Sequence, residues 1–398
     1  MYKKIRRIAM LCILTTLIVL SISGCGSTTG EKTGEKAAAK TEDLKLGMDA
    51  ALSKTGGTDF GLAIKQAMTL AVEEYNANGG YKGQKITPVI YDDQADPQLA
   101  TQNFLRLIKE DKVFATVGIV NTGNAQAVSQ VVQENKMPLV VSVATGNKIV
   151  ERYQSEPKNY TFRITMPDKE QIPVILDYIQ AKGYKKIGLA HDTAGYGTSG
   201  STDAVAQIKE RGLTLVGNES YAPGDTDMTS QLTKLKNAGA DVVLWYSSSP
   251  ETASLMISRQ KIGWDVPMVG PWAASGSVFP KLAGKAGAGL HLVQSFTPDQ
   301  SDKAKQLDEK LKAKYGPDYV IPVVAAQTYD ATKLILKALD QVGPDPEKIR
   351  DAIENMDNFD SVVGFPAKPF TKEKHDAIDR KTMFMAQYDE NMKIVKAK

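Results

Sequence analysis

The stretch VFATVGIVNTGNAQAVSQVVQENKMPLVVSV, residues 113–143, decides the fold. Two short apolar runs of β type, Val113–Val120 and Met137–Val143, flank a segment with helical spacing, Asn124–Glu134. Strand, helix and strand in that order predict a parallel βαβ unit. Upstream the same alternation runs back through a strand at Leu44–Leu52, a helix at Phe60–Ala77, a strand at Lys85–Tyr91 and a helix at Pro97–Lys109. Pro97 sits where a first helical turn tolerates it. Downstream, strands are expected at Lys186–His191, Leu213–Tyr221, Asp241–Tyr246 and Pro267–Gly270. Helices near Ile172–Ala181, Thr202–Arg211, Met228–Asn237 and Thr252–Lys261 separate them, and each runs out beside a glycine: Gly183, Gly212, Gly239, Gly263. Glycine is the residue that closes a helix in the left-handed conformation. The expectation is an α/β protein with two doubly wound, Rossmann-like sheets in series, divided near Tyr160–Thr165. From Leu290 onward three more helices and a strand at Thr382–Tyr388 are too little for a third core, so they complete the first two.

The beginning of the chain reads differently. Lys3, Lys4, Arg6 and Arg7 precede an uncharged apolar run from Ile8 to Ile22, which closes on Ser23-Gly24-Cys25. Basic, then apolar, then small is the order of an export signal, and the run of about 15 residues is shorter than the roughly 20 of a spanning helix. Its ending on cysteine resembles the bacterial lipoprotein signal, in which the thiol takes a diacylglycerol and becomes the new N-terminus. The alternative is an uncleaved anchor. Residues 1–24 are therefore expected to be a signal and Cys25 the lipidated residue, placing the protein outside the cytoplasm on the cell membrane. Gly26 to Glu42 holds no large apolar side chain, so residues 25–42 read as a flexible tether.

Removing 1–24 leaves 45 Lys+Arg against 46 Asp+Glu, a formal charge of −1, so the apparent basicity belongs to the signal and gives no argument for nucleic acid. The two cysteines are Cys12, inside the signal, and Cys25, so no disulfide or thiol metal cluster is expected. His191, His291 and His375 lie far apart without zinc spacing. No nucleotide or phosphate glycine loop and no Gly-x-Ser-x-Gly elbow appears. Asp92, Asp93 and Asp96-Pro97 look like a turn and helix cap. No catalytic residue, metal or cofactor is expected, and an enzyme is the less favoured class.

In open parallel sheets ligands bind beyond the carboxyl ends of the strands, where helix starts offer free N–H groups. Asn121-Thr122-Gly123-Asn124 follows one strand and makes a seat for a carboxylate, unless Thr122 or Asn124 merely caps its own helix. Ser142–Gly146 follows the next. In the second half, His191–Gly197 with Tyr196 between glycines, Tyr246–Pro250 and Gly270–Trp272 hold the corresponding places. Tyr196 is expected to be exposed and free to cover a ligand.

With Gly61-Leu62-Ala63, Asn76–Gly83, Tyr91–Pro97, Gly195-Tyr196-Gly197, Gly224–Asp227 and Asn237–Asp241 in order, the chain resembles the branched-chain amino-acid type of periplasmic binding protein, the ligand-capturing part of an ABC importer. The resemblance implies a type I periplasmic-binding fold, with one lobe from residues 43–163 plus 292–370 and a second from 164–291 plus 371–398. It implies crossings near Tyr160–Thr165, Leu290–Thr297 and Gly364–Thr371 that act as a hinge. It places carboxylate contacts on Thr122, Gly123, Asn124, Ala144 and Thr145, and side-chain contacts on Phe60, Tyr196, Ser247 and Ser248. Where the family's amino-acid binders carry a glutamate for the ligand ammonium, this chain has Trp272. A buried ammonium without a counter-charge is costly, whereas an indole offers stacking area and one donor. Asp192 or Glu251 is the acid that would stand in for it. The expected partners are a small carboxylate, aromatic or apolar first and an aliphatic amino acid second, and a transporter permease. A membrane sensor is the alternative recipient of the liganded form.

Overall fold

The computed structural model describes residues 43–54, 57–317, 319 and 321–397. The expected signal, Cys25 and the tether lie outside the described residues.

The first sheet is built from β1 (Leu44–Ala50), α1 (Thr58–Ala77), β2 (Ile86–Asp92), α2 (Pro97–Lys109), β3 (Ala115–Gly118), α3 (Thr122–Glu134), β4 (Leu139–Val141), the one-turn α4 (Lys148–Glu151) and β5 (Thr161–Arg163). All its pairings are parallel, in the order β2-β1-β3-β4-β5. Such strands need helices on both faces, and Leu46, Met48, Val117 and Val140 are wholly buried between them.

The second sheet follows α5 (Asp168–Ala181) and runs through β6 (Lys186–Asp192), α6 (Gly195–Glu210), β7 (Thr214–Tyr221), α7 (Thr229–Asn237), β8 (Val242–Tyr246), α8 (Ser249–Lys261) and β9 (Met268–Gly270). A 3-10 turn at Trp272–Ser275, α9 (Val278–Ala283) and β10 (His291–Gln294) come next. The chain then returns to the first sheet's helices with α10 (Asp302–Tyr315), α11 (Pro322–Val342) and α12 (Pro346–Glu354), before β11 (Phe384–Tyr388) and β12 (Ile394–Lys396) finish the second sheet. Its order is β12-β11-β10-β9-β8-β6-β7, with β11 and β12 antiparallel. Read from β7, the five parallel strands repeat the winding of the first sheet. Each sheet therefore has one point where strand order reverses, between β1 and β3 and between β6 and β8. That is where an open α/β sheet leaves a crevice.

Gly183, Gly212, Gly239 and Gly263 close their helices at φ of 79°, 66°, 79° and 57°, in the left-handed region that a β-carbon disfavours. α11 is the long helix of the first lobe and packs along α1, burying Val324, Ala325, Leu334 and Ile335. Its Asp330 carboxylate accepts from the backbone N–H groups of Val362 and Val363, at 3.0 Å each, and from the Ser361 hydroxyl at 2.7 Å. Burial pushes that carboxyl up to about 6. The anchored loop leads into the last crossing between the sheets.

The chain crosses three times: after β5, after β10, and between α12 and β11. The first and third crossings lie side by side. Arg163 N donates to His375 O at 2.8 Å and Ala377 N to Arg163 O at 2.9 Å, a parallel bridge between Arg163 and Asp376.

Three strands differ from the sequence reading. β5, β10 and β12, of three, four and three residues, are not among the expected strands. α6 starts at Gly195, not near Thr202, although glycine disfavours helix. Packing imposes those glycines: a β-carbon on Gly200 would lie 2.0 Å from the Tyr246 ring, and one on Gly197 would lie 2.5 Å from Asp192 Oδ1.

Candidate ligand-binding site

Both reversal points open on one cavity of about 370 Å³. From the first sheet it takes Gly57–Phe60 after β1, Val120–Thr122 after β3 and Val143–Thr145 after β4. From the second it takes Tyr196 after β6, Ser248–Pro250 after β8, and Trp272 and Ala273 after β9, with Val278 and Leu282 of α9. The lobes touch around it. Phe60 and Trp272 pack edge to face, ring centres 5.5 Å apart and planes at 87°. Asn147 Nδ2 donates to Asp203 Oδ2 at 2.7 Å. A β-carbon on Gly195 would lie 2.9 Å from Gly123 N.

The starts of α1, α3, α6 and α8 converge here, each with the positive end of its dipole toward the cavity, although Phe60 N of α1 is already taken by Asp59 Oδ1. None of the four has a side-chain hydrogen bond from its cap residue. The same is true of α5, α7 and α11, which start elsewhere, while α2, α10 and α12 are closed by Asp96, Ser301 and Asp345. The cap position of α3 is Asn121, so simple capping by Thr122 or Asn124 is not what these residues do. The hydroxyl of Thr122, 2 % exposed as a residue, has no hydrogen-bond partner among the described residues. Four converging helix starts and a free hydroxyl favour an anionic group. Thr122→Val keeps the shape and removes that donor. A hydrogen bond to a charged group contributes about 1.5–3 kcal/mol, so the dissociation constant is expected to rise about tenfold with an unchanged melting curve, both read on the purified protein.

Of the residues singled out from the sequence, Phe60, Thr122, Ala144, Thr145, Tyr196, Ser248 and Trp272 line this cavity. Gly123, Asn124 and Ser247 stand just behind it. Gly123 faces Gly195 across the lobes. Asn124 is buried, its Nδ2 without a hydrogen-bond partner among the described residues. Ser247 Oγ is 3.0 Å from Thr252 Oγ1, inside its own lobe. Ser248 lines the wall, but its hydroxyl donates to Glu251. Tyr196 is not a free loop residue: it lies in the first turn of α6, half-buried, its ring 4.8 Å from Tyr246. Burial holds its hydroxyl well above the ordinary tyrosine range. The neighbouring Tyr246 hydroxyl donates to Asp168.

The acids weighed as partners for an ammonium sit elsewhere. Asp192, pushed up to about 6 by burial, accepts from Ala194 N and Ser248 N and so joins the loops after β6 and β8. Glu251 accepts from Gly224 N and from the Ser248 hydroxyl. The acid that does line the cavity is Asp59, which the sequence reading passed over because its helix was taken to begin at Phe60. Burial raises its carboxyl, and its oxygens accept from Phe60 N at 3.0 Å and, across the lobes, from Val278 N at 3.4 Å.

Residues 43–393 match the model of a family described as periplasmic binding protein. A "Leu/Ile/Val-binding protein homolog 3" of Brucella melitensis is 29 % identical over 332 residues, 82 % of this chain and 88 % of that protein. Among solved structures, the substrate-binding protein of a branched-chain amino acid transporter from Streptococcus pneumoniae, in complex with isoleucine, superposes with a TM-score of 0.78 at 24 % identity, covering 89 % of this chain and all of that one. An ABC transporter solute-binding protein of R. palustris, in complex with 4-hydroxybenzoate, superposes with a TM-score of 0.75 at 21 % identity, covering 90 % and 96 %. Among the described residues no helix is long and apolar enough to cross a membrane. The family works outside the cytoplasm, and its relatives are binding proteins of ABC transport systems rather than enzymes. With two like-wound lobes meeting on one cavity, this chain belongs to the periplasmic binding protein family, as a solute-binding protein of the branched-chain amino-acid type.

Proposed function

We propose that this chain is the ligand-capturing lipoprotein of an ABC importer, held to the membrane through Cys25. Its ligand is a small carboxylate with an aromatic or apolar body. The observation that carries the reading is the pairing of four converging helix starts and the free Thr122 hydroxyl with the Phe60–Trp272 edge-to-face contact in one small cavity. The helix starts and Thr122 receive the carboxylate, and the aromatic pair with Val120, Val143 and Leu282 receives the body. Closing the lobes removes water and strengthens each polar contact. The ligand shifts the open–closed balance by its preference for the closed form, and the permease reads the closed surface.

An aliphatic amino acid is the second reading, and Asp59 is the observation that favours it. Among the described residues, Asp59 is the one acid on the cavity wall. It ranks second because Asp59 already accepts two backbone N–H groups and burial disfavours its charged form. The test is calorimetric titration of the purified protein with benzoate, 4-hydroxybenzoate, phenylacetate, leucine, isoleucine and valine. The proposal expects an aromatic acid to bind most tightly; tight leucine binding without response to the aromatic acids reverses the ranking.

A further inference from the structure

Arg163 ends β5 at the first crossing and is fully buried, yet it does not touch the cavity. Its Nη1 donates to Thr145 O at 2.6 Å and to Gly146 O at 2.8 Å, and its Nε to Asp376 Oδ1 at 2.7 Å. Asp376 also pairs with Lys169 Nζ at 3.0 Å, in the first turn of α5. One guanidinium thus joins the cavity wall at 144–146, the first crossing and the third. The wall it holds has little slack. A β-carbon on Gly146 would lie 2.4 Å from Thr122 Cγ2 and 3.3 Å from Ser199 Oγ of α6, so the backbone at 146 is wedged between the start of α3 and the opposite lobe.

We propose that Arg163 is a positioning residue for the ligand, fixing the 144–146 wall against the two crossings so that the wall keeps its place as the lobes close. This rests on reading the cavity as the ligand site. Each carbonyl keeps a second donor without Arg163: Asp168 N to Thr145 O at 3.1 Å and Ile149 N to Gly146 O at 3.2 Å. Asp376 likewise keeps Lys169. What only the planar fork supplies is a rigid span from two carbonyls to a carboxylate, which the single ammonium of lysine does not reproduce.

The test compares Arg163→Lys and Arg163→Met with the wild-type full chain by calorimetry, well below the melting temperature. The probe is whichever of benzoate and L-leucine the wild type binds more tightly. Their order tests the ligand class, and the ratio of variant to wild type tests Arg163. Both variants are expected to bind at least tenfold more weakly, with unchanged circular dichroism and at least tenfold faster amide exchange at residues 145–147 without ligand. Folded variants with a dissociation constant within twofold of wild type overturn the proposal. A merely structural arginine would lower the melting temperature and leave the affinity of the folded protein alone. Should neither variant fold, Asp376→Asn decides: affinity weakened at least threefold supports the proposal, and unchanged affinity overturns it. If the wild type binds neither probe, the ligand class fails and the exchange rates alone decide, wild-type rates in the variants overturning the role of Arg163.

Discussion

Gly195→Leu is expected to weaken ligand binding at least about a hundredfold, roughly 2.8 kcal/mol, while leaving each lobe folded. The reason is geometric. The start of α6 in the second lobe meets the start of α3 in the first at two glycines. A β-carbon on Gly195 would lie 2.9 Å from Gly123 N and 3.1 Å from Gly123 Cα, so backbone must move to admit it. Within its own lobe Gly195 is exposed and has no left-handed φ, so a side chain there strains nothing until the lobes come together. The wedge therefore opposes closure alone. Alanine, valine and leucine should weaken binding in that order, measured by calorimetry with melting temperatures as the control. A leucine variant that binds within about threefold of wild type would show that the two helix starts do not need to meet.

Trp272→Ala is expected to raise the dissociation constant at least about thirtyfold, near the 2 kcal/mol at which truncation of an aromatic anchor marks a binding hot spot. Trp272 is 2 % exposed, with Phe60 of the opposite lobe as its edge-to-face partner, and it lines the cavity. It thus has two possible losses on truncation. Removing a core tryptophan costs about 3–5 kcal/mol of stability, which appears in the melting temperature. Losing a stacking wall appears in the affinity of the protein that remains folded. Trp272→Phe, which keeps an aromatic face, should recover most of the affinity. If the alanine variant is less stable but binds as tightly as wild type, the indole belongs to the core and the aromatic part of the ligand assignment falls with it.

The fold was legible where its signals were local. Apolar runs marked nine of the twelve strands among the described residues, the three-residue β4 and β9 included, and the glycines at 183, 212, 239 and 263 marked helix ends because a left-handed residue must stand there. β5, β10 and β12 were not legible: β5 and β10 lead into the crossings, and β12 pairs only with β11 at the edge of its sheet. The start of α6 was hidden because its glycines disfavour helix and are there to admit Tyr246 and Asp192.

The site was legible as a set of loops and less so as a set of atoms. Looking just after each strand found the walls at 122, 144–145, 196, 248 and 272. It did not distinguish Ser248, which lines the cavity, from Ser247, which bonds Thr252 behind it. That choice depends on how the backbone leaves β8. Asp59 was missed because its helix begins two residues before the apolar pattern does. Val278 and Leu282 were missed because the six residues of α9 are too few to show a period. Arg163 carried no local signal, since its partners at 145, 146 and 376 are brought together only by the crossings.

The account stands on closure of two lobes over one ligand, and small-angle scattering with and without a bound acid tests that most directly. Saturating the wild-type protein with the tightest-binding acid of the titration panel should shrink its radius of gyration, and Gly195→Leu should keep the ligand-free value at the same concentration. Identical scattering from free and saturated wild-type protein would contradict the account.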